Sequence, residues 1–170
     1  MATESTNDGS ISGNPATLDS ISVTENAGGG TTLTTTAPVS NIQVRVQGEQ
    51  TWSGAPISGS TFRLGGRPPS NALFTPENKL SLDLNSRENK FAASSGKDSI
   101  SFRQKTRQDT VNLGKNDGSA DVVKVDSLKN TKDLTIRNFG KEDTLKVGKK
   151  SFDYDQLQDK SFKNISIKFD

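Results

Sequence analysis

Apolar residues in the second half of the chain come in pairs split by one polar residue. The pairs are Ile100/Phe102, Val111/Leu113, Val123/Val125, Leu134/Ile136 and Leu145/Val147, and they recur at steps of 11, 12, 11 and 11 residues. Leu80/Leu82 and Phe91/Ala93 extend the series upstream, and Ile167/Phe169 continues it downstream. Apolar residues two apart are the signature of a strand with one buried face. An aspartate stands two positions before most pairs, at Asp98, Asp109, Asp121 and Asp143. The text between is turn chemistry, such as SSGKD and NFGKED. Each unit therefore predicts one short strand plus one turn. Such a strand cannot cover its own apolar face, so the units must stack. Two all-β arrangements fit. One is a small β-solenoid or β-roll-like stack in which successive units alternate between two facing sheets; the other is an antiparallel β-sandwich. The aspartate ahead of nearly every strand favours the solenoid. Helix is expected only at Asp153–Lys160 (DYDQLQDK), as a cap over the open end of the stack.

The first half reads differently. Every lysine lies at or beyond Lys79 and every proline at or before Pro76, so composition alone marks a boundary near 75–78. Residues 76–170 form the expected repeat-built body. Residues 1–40 hold Gly28, Gly29, Gly30 and a threonine run that offers no continuous apolar face, which predicts a long, extended and flexible N-terminal arm. Between 41 and 75, Ile42, Val44 and Val46 alternate with Gln43, Arg45 and Gln47, a half-buried strand of period two. Glycines then divide the text into short extended pieces carrying Trp52, Ile57, Phe62 and Leu64.

Composition narrows the chemistry. The 170 residues include no His and no Cys, which removes Ser-His-Asp and Cys-His nucleophiles, imidazole or thiolate metal sites, and disulfides. The expectation is a protein without catalytic activity. Carboxylate pairs such as Asp117/Asp121, Glu142/Asp143 and Asp153/Asp155 are plentiful, but an aspartate at every turn makes them inevitable. They read as turn caps accepting backbone N–H bonds. A formal net charge of +2 argues against a dedicated nucleic-acid binder. No apolar run is long enough for a spanning helix, and residues 1–10 lack the basic and apolar regions of an export signal, so neither membrane nor cleaved leader is expected.

The units GKDSISF, QDTVNLGKNDGSADVVKV and GKEDTLKVG resemble the tail of an RTX-type β-roll, over residues 96–157. That resemblance implies calcium held by glycine-rich turns and Asp carboxylates. The double glycine of the family repeat is missing in every unit here. The nearest approach is Gly114, Asn116, Asp117, Gly118 and Asp121, so Asp117 and Asp121 are the candidate ligands of a single calcium, the one cofactor the resemblance offers. It also implies a secreted or surface-exposed, calcium-responsive binding module.

A pliable arm, a small β body and the absence of thiols together resemble a bacteriophage capsid decoration (cement) or tail accessory protein. That resemblance implies a virion location, with capsid or tail subunits as partners in a symmetric assembly or homo-oligomer. The expected contact region is the arm around Gly28, Gly29, Gly30, Thr34 and Val39, with Ile42, Val44 and Val46 as an added strand. Trp52 is weighed both as a partner anchor and as core.

Overall fold

The computed structural model describes residues 2–6, 9–65, 77–115 and 118–170, and the protein is all-β. Sheet I holds eight strands in the order Ala2–Thr6, Gly9–Gly13, Gln43–Val46, Thr61–Leu64, Lys90–Ala92, Thr110–Asn112, Leu134–Phe139, Ile165–Phe169. Sheet II also holds eight, Lys150–Phe152, Thr144–Val147, Val122–Val125, Asp98–Phe102, Asn78–Asp83, Glu49–Gly54, Thr31–Thr35, Ile21–Glu25. Sheet III consists of five two-residue strands, Thr131–Lys132, Thr106–Arg107, Ser86–Arg87, Ile57–Ser58 and Val39–Ser40.

The chain visits sheets II, III and I in turn, and each visit pairs in parallel with the previous one. In sheet II the register aligns Leu80, Ile100, Val123 and Leu145; in sheet I it aligns Phe62, Phe91, Val111 and Ile136. The apolar pairs of the sequence thus fall alternately on the two large sheets, inward-facing. Burying each of these side chains contributes on the order of 2 kcal/mol. Aromatic rings knit the levels together. Trp52 meets Phe62 edge-on at 5.5 Å, Phe62 stacks on Phe91 at 5.0 Å, and Phe91 meets Phe102 edge-on at 5.3 Å.

Antiparallel strands cap both large sheets at one end of the stack and sheet II at the other, where sheet I ends on the parallel strand Ile165–Phe169. Gly9–Gly13 runs antiparallel to Gln43–Val46, and Ile21–Glu25 to Thr31–Thr35; at the other end Lys150–Phe152 turns back on Thr144–Val147. A short helix accompanies each closure. Leu18 of Pro15–Leu18 and Leu157 of Tyr154–Gln158 are both buried. The second helix sits inside the segment expected as a cap. Asp153 starts it with a capping box, accepting the Gln156 N–H at 2.9 Å while the Gln156 side chain accepts the Asp153 N–H at 3.1 Å. Tyr154 packs edge-on against Phe169, and Phe152 against Phe162.

Where an arm was expected, residues 9–40 supply strands to all three sheets. Ile11, Leu18, Ile21, Leu33 and Val39 are all buried, one from each local element. Each element offers too few apolar residues for a periodic signal, and its partners come from other circuits. The threonine strand works because its inward hydroxyls are satisfied: Thr35 Oγ1 donates to Ala55 O at 2.6 Å and Ser53 O at 3.1 Å. The boundary at 75–78 separates segments that share sheets, since Lys79–Asp83 pairs residue for residue with Glu49–Ser53.

Candidate functional site

The polar residues ahead of the strands build a column inside the stack. Register places Gly48, Asn78, Asp98, Asp121 and Asp143 one above another where sheet I hands over to sheet II. The Gly48 N–H donates to Asn78 Oδ1 at 3.0 Å, and Asn78 Nδ2 to Asp98 Oδ1 at 2.7 Å. The Asp98 N–H donates to Asp121 Oδ1 at 2.8 Å, and the Asp121 N–H to Asp143 Oδ1 at 2.9 Å. At two rungs the second oxygen serves its own turn: Asp143 Oδ2 accepts the Gly140 N–H at 2.8 Å, and Asp98 Oδ2 accepts from the Ser94 N–H and hydroxyl. All four side chains are at most 5% exposed, so these bonds carry the full weight of desolvation.

A second column runs where sheet III meets sheet I. Ser60, Asn89 and Asp109 align there; the Ser60 N–H donates to Asn89 Oδ1 at 2.8 Å and the Asn89 N–H to Asp109 Oδ1 at 2.8 Å. Asn89 Nδ2 donates to Ser86 Oγ and Ile57 O, and Thr106 Oγ1 donates to Asp109 Oδ2 at 2.6 Å. Burial pushes the Asp109 carboxyl above its ordinary value, with these hydrogen bonds pulling only partly the other way. Gly59, Glu88 and Gln108, just before the three column members, are left-handed, as are Asn41 and Asp133 at the same corner of other circuits, all with φ between 53° and 57°.

The calcium candidates divide. Asp121 is a rung of the first column, its Oδ1 engaged by the Asp98 N–H, and Asp117 lies outside the described residues. Among the described residues no group of three His, Cys, Asp or Glu is placed to hold a metal ion. The turns holding Gly118, Asn138, Lys141 and Glu142 do border a cleft of about 330 Å³, closed on one side by Tyr154 and Asp170.

The partner candidates divide too. Gly28 and Gly29 are exposed at the tip of the hairpin Ile21–Thr35, Gly30 is half-buried beside them, and Thr34 is exposed on sheet II. Val39, Ile42, Val44, Val46 and Trp52 are core instead, none more than 3% exposed. The period-two strand exists, but its apolar face points inward, so these side chains are not available to a partner. The Trp52 indole donates internally, to Gln50 Oε1 at 3.3 Å.

What single-residue reading missed is the contrast between outer faces. Sheet II shows a row of hydroxyls, Thr32, Thr51, Ser81 and Ser101, and mixed charges that pair, Lys79 with Glu49 at 3.9 Å and Lys124 with Asp126 at 3.6 Å. Sheet I shows cations: Arg45, Arg63, Lys90, Arg137 and Lys168 are all exposed. Eighteen residues separate Arg45 from Arg63, and only the strand register makes them neighbours. No family model, curated protein or solved structure matches this chain.

Proposed function

We propose that this protein is a β-solenoid acting as a non-enzymatic, rigid structural module of a larger assembly, with a virion component of the capsid-decoration or tail-accessory kind as its setting. The observation that carries the solenoid reading is the unbroken parallel register from Val44 through Phe62, Phe91, Val111 and Ile136 to Ile167. An antiparallel sandwich offers no such column. Support for a structural role comes from where the buried polar groups are spent: the aspartates and asparagines of both columns hold backbone N–H groups of adjacent circuits, which stiffens the stack. Because residues 9–40 are built into the sheets, docking is directed to the sides of the stack and to the Asn26–Gly30 turn, rather than to an arm threaded across neighbours.

Two measurements test this. Circular dichroism melts with millimolar calcium and with a chelator are expected to superimpose; a body that folds only with calcium would favour the calcium-responsive RTX-type module and direct mutation to Asp117 and Asp121. Mass spectrometry of purified virus particles from the source should find the chain in a fixed ratio to a major shell or tail subunit. Its absence from particles would end the virion reading.

A further inference from the structure

We propose that the outer face of sheet I is a binding surface for a linear anionic polysaccharide. Arg45 stands directly beside Arg63, and Arg137 directly beside Lys168, on neighbouring strands of that sheet. Strands lie about 4.8 Å apart, so the two cationic pairs are centred about 19 Å from each other along one row. Lys90 lies between them in the adjacent row, aligned with Thr61 and Thr110. Like charges placed side by side on a sheet destabilise it. The arrangement is therefore one that folding alone would not select, and sites that break a folding rule are where a ligand is to be sought.

Three further observations fit the same occupant. None of these five cations forms an ion pair among the described residues, whereas sheet II pairs Lys79 and Lys124 with carboxylates, and on sheet III Arg87 is held by Glu88 at 2.9 Å. No outward position of the sheet I strands from Gln43 to Lys168 is acidic. Around Lys90, the row beside the arginines carries hydroxyls and an amide, Gln43, Thr61, Thr110, Thr135 and Ser166. Guanidinium groups grip carboxylate or sulfate oxygens bidentately, and the neighbouring hydroxyl row offers hydrogen bonds to sugar hydroxyls. Between Ser10, Ser12, Arg45 and Arg63 the face dips into a shallow groove of about 120 Å³. Single-stranded nucleic acid is the weaker fit, because among the described residues this face presents no exposed aromatic ring on which a base could stack. The inference rests on the face itself and does not depend on a virion setting.

Affinity electrophoresis of the full chain tests it, with polygalacturonate and dextran sulfate as probes and neutral dextran and single-stranded DNA as comparisons. Both charged polysaccharides should retard the protein, less so as salt rises, and neutral dextran should not. R45Q/R63Q and R137Q/K168Q should each weaken binding about tenfold. K124Q/K146Q, which removes the same charge from sheet II, should stay within about twofold. All six residues are solvent-accessible, and unchanged melting curves will show that the variants fold. Three outcomes would overturn the proposal: no retardation by either charged polysaccharide, an equal loss in K124Q/K146Q, or tighter binding of DNA with the same dependence on the sheet I arginines.

Discussion

Two corners of the stack use the same side-chain rungs on connections of very different regularity. Where sheet III meets sheet I, the connection is the same two residues in successive circuits, 41–42, 59–60, 88–89 and 108–109. Identical turns keep their carbonyls aligned, so the backbone ladder runs straight through. The N–H of Asn41 donates to Ser58 O, that of Gly59 to Arg87 O, that of Glu88 to Arg107 O and that of Gln108 to Lys132 O. Where sheet I meets sheet II, the connections differ in length, from two residues at 47–48 to five at 93–97 and nine at 113–121. Unequal loops scatter their carbonyls. The N–H groups of Asp98 and Asp121 take a side-chain oxygen from the next circuit, as those of Ser60 and Asn89 do at the first corner. The side-chain rung is common to both corners; the regular one adds a backbone ladder at the residue before it.

That contrast can be broken most severely by length. Two glycines inserted between Glu88 and Asn89 should abolish the cooperative melt, because they pull the Glu88 backbone bond and the buried Asn89 rungs out of register together. Two glycines inserted after Gly118, where the loop is already long and a Cβ would meet nothing, should cost less than about 1 kcal/mol in urea denaturation. Next in size is Asn89→Leu, which keeps the branched shape but strips bonds from the Ser60 N–H, Ile57 O and Ser86 Oγ in a fully buried site. A loss of about 3–4 kcal/mol is expected. A loss below about 1 kcal/mol would mean that the inner column is ornamental.

Asp109 sharpens the comparison through pH. Its folded carboxyl binds a proton more tightly than the unfolded one, because burial raises its pKa. The folded state therefore holds more protons in the window above about pH 4, and stability falls as the pH rises through that window. In Asp109→Asn this fall is absent, so the variant should gain on the native protein as pH increases from about 3.5 to 7 in paired thermal melts. A constant difference would assign Asp109 no such role. The smallest effect belongs to the left-handed residues. Gln108→Gly relieves a φ of 53° and should stabilise by about 0.5–1 kcal/mol, while the same change at Arg107, one residue earlier in a strand of sheet III, should destabilise.

The sequence made some of this legible. Paired apolar positions at steps of 11 and 12 mark strands that fall alternately on sheets I and II, and the preceding aspartates mark the inner columns. Sheet III was hidden because a two-residue strand such as Ser86–Arg87 cannot display a period. The left-handed corner was hidden because Glu88 and Gln108 are not residues that advertise positive φ. In the first half, Leu33 and Val39 are single apolar residues in threonine- and proline-containing text, and their burial depends on Trp52 and Ile57 a full circuit away. The cationic face depends on register alone, which no local window contains.

The two distinct ends of the stack carry a consequence for size. An open periodic stack has no natural length, but one bounded by fixed ends has the length its circuits dictate, in steps of about 4.8 Å. Ser86 and Thr106 occupy the same place in successive circuits, so residues 86–105 constitute one whole step. The chain is in this sense a ruler graduated in integers: add or remove a circuit, and the distance between its two ends changes by one division while the ends themselves stay the same.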